Sequence, residues 1–125
     1  MNVVDSSGWL EYFASGSNSS FFAPPILDVA RLVVPSICLQ EVFRRTLHLR
    51  GERDALQVAA QMQQGHLVPH NGKIALAAAR IGYDLKLPLA DSIVLATARE
   101  HAAMLWTQDA DFKGVAGVRY VAKRP

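Results

Sequence analysis

A chain of 125 residues, half of them hydrophobic and 19% charged, has the balance of one folded domain spanning residues 1–125 and excludes a disordered polypeptide. A formal net charge of +2 does not by itself announce a nucleic-acid binder, although Arg44, Arg45, Arg50 and Arg53 crowd one stretch that reads either as a solvated helix face or as a phosphate-steering patch. The lone Cys38 excludes an internal disulfide and fits a reducing cytoplasm, the start Met1-Asn2-Val3-Val4-Asp5 lacks a basic leader, and no apolar run nears the roughly 18 residues that span a bilayer.

Strand-like and helix-like segments alternate along the chain. Asn2 to Val4 reads as a short buried strand, and Ser6 to Ala14 as a helix that buries Trp9, Leu10, Tyr12 and Phe13. The polar stretch from Ser15 to Ser20 reads as a loop, after which Pro25 can open a short helix to about Ala30. Arg31 to Val34 is the second predicted strand, stopped by Pro35, and Ser36 is placed to cap the helix carrying Ile37, Cys38, Leu39, Val42, Phe43 and Leu47. Gly51 breaks that pattern, and Asp54 to Gln64 continues as another helix.

Gly65 to Pro69 resembles a third short strand, and Lys73 to Leu85 has helical spacing. Pro88 starts a new element, since the residue before proline disfavours helix. Ala90 to Ala102 follows as a helix apolar nearly all round, which predicts packing on more than one side. Ala103 to Thr107 and Val118 to Val121 complete the strands. Such alternation predicts an α/β fold, a small α/β/α sandwich whose central, mostly parallel sheet has about five short strands.

Four acids stand where these elements meet one sheet edge. Asp5 follows the first strand and Asp109 the fourth, and ligand sites of open parallel sheets form at the carboxyl ends of strands. Asp91 lies in the first turn of the most apolar helix. Glu41 interrupts an apolar stretch and reaches the edge if its helix lays a turn and a half across it. Each has an ordinary explanation. Asp5 can cap the helix at Ser6, Asp91 can answer the helix dipole, Asp109 can hold a turn, and Glu41 can pair with Arg44 or Arg45. Together these explanations weaken, because carboxylates flanked by apolar residues are costly without partners. Like charges gathered at one spot also raise each other's pKa, and a hard divalent cation neutralises them and activates water against phosphodiesters.

Four pieces of the chain carry a resemblance: Val4-Asp5-Ser6-Ser7 with Trp9-Leu10; Val34-Pro35-Ser36-Ile37 leading to Glu41; Leu87-Pro88-Leu89-Ala90-Asp91-Ser92-Ile93-Val94-Leu95-Ala96-Thr97-Ala98; and Thr107-Gln108-Asp109-Ala110-Asp111-Phe112. In order and spacing they resemble PIN-domain proteins, and specifically the VapC ribonuclease toxins of bacterial toxin–antitoxin pairs. The resemblance covers Asn2 to about Val121. It implies that Asp5, Glu41, Asp91 and Asp109 form an acidic quartet around one or two Mg²⁺ or Mn²⁺ ions. Ser6 and Thr107 would be supporting hydroxyls, and Asp111 a fifth acid that assists or caps the turn. It implies a cytoplasmic metal-dependent endoribonuclease that is a homodimer and is held by a cognate antitoxin.

The basic residues that would hold RNA cannot be matched by position, so the RNA cut stays open. Trp9, Tyr12, Phe13, Phe21, Phe22 and Ile26 are candidates for an antitoxin groove or for ordinary core. Other readings are a PIN-like module that binds RNA or protein without cutting, and an aspartyl-phosphate receiver or phosphatase, for which the Asp-x-Asp and the lysine after strand five are missing. No zinc spacing links His48, His66, His70 and His101, which read as surface or packing residues.

Overall fold

The computed structural model describes all residues from Met1 to Pro125. Five strands, β1 (Asn2–Val4), β2 (Leu32–Pro35), β3 (His66–Val68), β4 (Met104–Thr107) and β5 (Val118–Tyr120), form one sheet in the order β3-β2-β1-β4-β5. Every pairing is parallel. Six helices connect the first four of them in pairs: α1 (Ser6–Phe13), α2 (Ser19–Leu27), α3 (Ser36–Arg50), α4 (Glu52–Met62), α5 (Gly72–Leu85) and α6 (Leu89–Glu100).

Successive side chains of a strand point to opposite faces, yet both Val3 and Val4 are fully buried, as are Val33 and Val34. Both faces of the sheet are therefore covered, as the α/β/α expectation requires. Helix α6 packs on β1, β2 and β4, and every residue from Ser92 to Ala98 is buried. Its all-round apolar sequence is thus explained. No helix is long and apolar enough to cross a membrane.

Two local expectations are corrected. The second helix starts at Ser19 rather than Pro25 and carries Pro24 and Pro25 inside it. Burial of Phe22, Pro25 and Ile26 outweighs the backbone hydrogen bonds that the two prolines cannot make. Ser36 does not cap α3, because its Oγ instead accepts from the His70 backbone N–H at 3.2 Å and ties the start of α3 to the segment after β3. The break at Gly51 is real: its φ of 93° lies where a side chain would be strained, and α3 ends there.

The chain winds from β1 outward through β2 to β3, then crosses back to place β4 on the other side of β1. The order therefore switches between β1 and β4, and a crevice opens at the carboxyl ends of that pair. Asp5 directly follows β1, and Asp109 lies two residues beyond β4.

Candidate metal centre at the strand ends

Asp5 is the best-held of the acids. It is only 5% exposed. Its Oδ1 accepts from the Gly8 backbone N–H at 2.9 Å and from Ser7 Oγ at 2.8 Å, and its Oδ2 accepts from Thr107 Oγ1 at 2.6 Å. It also caps α1, so the capping explanation and convergence on the site are both true of this residue. Burial pushes its carboxyl up to about 6; the bonds from Thr107, Gly8 and Ser7 pull the other way, and the charge of Asp109 adds to the rise.

Thr107 joins two acids. While its hydroxyl donates to Asp5, its oxygen accepts from the Asp109 backbone N–H at 2.9 Å. Asp109 in turn caps the short 3-10 turn Ala110–Phe112, with Oδ1 accepting from the Asp111 N–H at 2.9 Å. That turn carries Asp111 back to the cluster. One carboxylate oxygen from each of Asp91, Asp109 and Asp111 falls within 4.8 Å of the others.

Asp91 reaches this spot from the first turn of α6. Its carboxyl is pushed up to about 7, first by desolvation and then by the charges of Asp109, Asp111 and Asp5. The ion pairs of the chain are Arg31–Asp28, Lys73–Glu100 and Arg80–Asp84, so no cation of the protein answers the cluster. Oxygen-only donors at this spacing, crowded and without a counter-charge, fit a hard divalent ion such as Mg²⁺ or Mn²⁺.

Glu41 sits apart from that trio. Ser6 Oγ donates to its Oε1 at 2.6 Å, which anchors it beside Asp5 through the neighbouring residue. Of the four expected acids, Asp5, Asp91 and Asp109 interact directly through their charges. Glu41 joins through Ser6, and Asp111 stands inside the cluster.

Three residues at the site carried little or no signal in sequence. Ser7 holds Asp5. Gln108 is buried and accepts from the Asn18 amide at 2.9 Å. Asn18, wholly buried, also donates to the Ala122 carbonyl at 3.0 Å and accepts from Arg124 Nε at 3.0 Å, which fastens the C-terminal segment over α1 and α2. Ser7 and Gln108 stand inside the stretches that carry the resemblance, whereas Asn18 lies in a stretch that reads as a polar loop.

Of the six residues expected either in an apolar groove or in the core, Phe13 lines a groove. Trp9, Phe22 and Ile26 are core residues. That groove of about 560 Å³ opens between α1, α3 and α4, with Leu10, Phe13, Leu49 and Val58 on its walls and Arg45, Arg50, Glu11 and Asp54 along it; Ser7 and Gln108 form the part nearest Asp5. Arg44 and Arg53 do not line it.

The sequence profile of the PIN domain matches residues 3–118. The chain belongs to the PIN-domain family. Solved structures agree with that fold: a toxin–antitoxin complex from Klebsiella pneumoniae superposes on this PIN domain with a TM-score of 0.78 at 23% identity, covering 95% of this chain and 96% of that one. The sarcin–ricin-loop-cleaving toxin VapC20 of Mycobacterium tuberculosis gives 0.75 at 16% identity over 100% of both chains. DNA-bound VapBC from Salmonella typhimurium gives 0.73 at 15% identity over 98% of both. No protein of curated function matches this PIN domain in sequence.

Proposed function

We propose that this PIN domain is a metal-dependent endoribonuclease, the toxin of a VapBC-type pair acting in the cytoplasm. The observation that carries the reading is the cluster of Asp91, Asp109 and Asp111 within 4.8 Å, next to the buried Asp5 and without a cation of the protein to balance it. Asp5, Asp91 and Asp109 would hold one or two Mg²⁺ or Mn²⁺ ions, with Asp111 as a further donor. A bound ion of this kind supplies Lewis-acid charge at a scissile phosphate and lowers the pKa of water.

The chain's own residues do the positioning. Ser7, the Gly8 amide and Thr107 fix both oxygens of Asp5, so the carboxylate faces the crevice in one orientation. Thr107 fixes the backbone of Asp109 as well. Glu41 has Oε1 held by Ser6 while Oε2 makes no hydrogen bond, so Oε2 is the oxygen of Glu41 open to a water or an ion beside Asp5. Attack by water in line with the 3′-oxygen, which leaves with a proton as the 3′-hydroxyl, gives a 5′-phosphate on the other end and needs no 2′-hydroxyl.

RNA as the substrate is supported by the fold likeness to VapC20, which cleaves the sarcin–ricin loop. An antitoxin partner is supported by the likeness to the Klebsiella toxin–antitoxin complex. The groove beside Ser7 and Gln108, with apolar side chains on its walls and both basic and acidic ones along it, would take an antitoxin segment there and block access to Asp5. A second copy would cover Leu76, Tyr83 and Leu89, large apolar side chains that are 77%, 82% and 80% exposed on α5 and α6.

The test is cleavage of structured and unstructured RNA by the purified, antitoxin-free protein with Mg²⁺, Mn²⁺ or EDTA, beside Asp91→Asn. Cutting that needs the ion and vanishes in the folded variant is the expected result. An absence of cutting across varied RNAs with either ion would favour a binding module, and undiminished cutting by Asp91→Asn would show that the acids are misassigned.

A further inference from the structure

A pair of histidines faces a cleft at the other edge of the sheet. His66 is the first residue of β3, and His101 caps the end of α6 just before β4, so both lie at the amino ends of strands while the acids follow carboxyl ends. Their ring centroids are 6.0 Å apart with planes tilted by 59°. A cation held about 2.0–2.1 Å from two imidazole nitrogens puts the ring centres roughly 5–6 Å apart, so the separation of this pair lies at the upper end of that range, and the rings and Glu100 must turn toward a shared ion to bind it.

The orientation of His101 is also set. Its Nδ1 lies 3.0 Å from the Thr97 carbonyl oxygen, which can only accept, so in the neutral ring Nδ1 carries the proton and Nε2 presents its lone pair. Donation of the second ring N–H to a backbone carbonyl is the support that metal-ligating histidines generally use. Glu100 lines the same cleft of about 320 Å³, together with both histidines, Asn71 and Lys73. Its carboxylate is held by Lys73 Nζ at 2.6 Å, but the lysine side chain is 75% exposed. An exposed pair of this kind is worth little and exchanges readily.

We propose that His66 and His101 bind a borderline divalent cation of the Zn²⁺ class, with Glu100 leaving Lys73 to serve as third donor. Imidazole donors favour Zn²⁺, Ni²⁺ or Cu²⁺, whereas the carboxylate centre favours Mg²⁺ or Mn²⁺. The two sites therefore differ in chemistry as well as in place. The cation ties β3, an edge strand paired only to β2, to the end of α6. It acts there as a staple and takes no part in hydrolysis.

The experiment is titration of the full chain with Zn²⁺ in saturating Mg²⁺, followed by calorimetry and by the imidazole nitrogen resonances. One equivalent should bind and shift the rings of His66 and His101 while leaving those of His48 and His70 in place. His66→Ala, at an exposed position, should weaken binding at least tenfold with the fold intact, and Glu100→Gln should weaken it several-fold. Zn²⁺ affinity unchanged in His66→Ala, or lost in Asp91→Asn instead, would overturn the site. Unchanged affinity in Glu100→Gln would overturn the third donor.

Discussion

Replacing Asp91 with asparagine should stabilise the metal-free protein at neutral pH while abolishing cleavage. The Asp91 carboxyl is raised from 3.8 to about 7 by desolvation, then by Asp109, Asp111 and Asp5. A folded-state pKa above the unfolded one means that the native state holds the proton more tightly. The stability this group contributes is fully present below about pH 4 and is lost as pH rises through about 7. A rise of that size corresponds to about 4 kcal/mol at 1.36 kcal/mol per unit. Asp91 is only half-buried, so solvent screening reduces the effect to about 1–2 kcal/mol.

Asparagine keeps the shape and removes the charge. In EDTA at pH 8, Asp91→Asn should therefore exceed the wild type by about 1–2 kcal/mol in urea unfolding, or several degrees in Tm for a domain of this size. The gap should narrow at pH 5 as the wild-type carboxyl takes up its proton. With Mn²⁺ the order should reverse, because the wild type, with Asp91 as a further donor, gains more binding energy from the ion than the variant does. A variant no more stable than wild type at pH 8 in EDTA, or a gap of equal size at pH 5, would refute the claim that desolvation and the neighbouring acids destabilise the Asp91 carboxylate in the native state.

Other expectations rest on the packing behind the acids. A methyl group at Gly8 would sit 2.6 Å from Phe22 Cε1 and 2.7 Å from Val4 Cγ1, so Gly8→Ala should cost about 1–3 kcal/mol in urea unfolding. It should also lower cleavage, since the Gly8 amide holds Asp5. Thr107→Val removes the donor to Asp5 and the acceptor for the Asp109 amide together; the cleavage rate should fall at least tenfold, and Thr107→Ser should restore most of it. Equal rates in the two Thr107 variants would show that the hydroxyl does not position the acids. Burial pushes the Cys38 thiol upward, so it should react with a thiol reagent only as fast as the protein unfolds. Rapid modification of the native protein would contradict its burial.

The sequence by itself determined the alternation of strands and helices, because periodicity is a local property: Val3-Val4 and Val33-Val34 could be buried on both faces only in a covered sheet. Parallel pairing of the first four strands followed from the helices between them, and the places of Asp5 and Asp109 followed from the strands they end; β4 and β5 are parallel with only a 3-10 turn between them. What the tertiary structure alone decided was which groups meet. Asp111 enters the cluster because a 3-10 turn, capped by Asp109, folds it back. Ser6 reaches Glu41 across 35 residues, and Thr107 reaches Asp5 across 102. The buried Asn18, lying in a stretch that reads as a polar loop, anchors a C-terminal segment more than 100 residues away. His66 and His101 meet at the cleft only because β3 and the end of α6 are neighbours in space. Local spacing can place a residue on an element, but contacts between distant elements depend on how the helices pack over the sheet, and that is settled by the shape of the whole core.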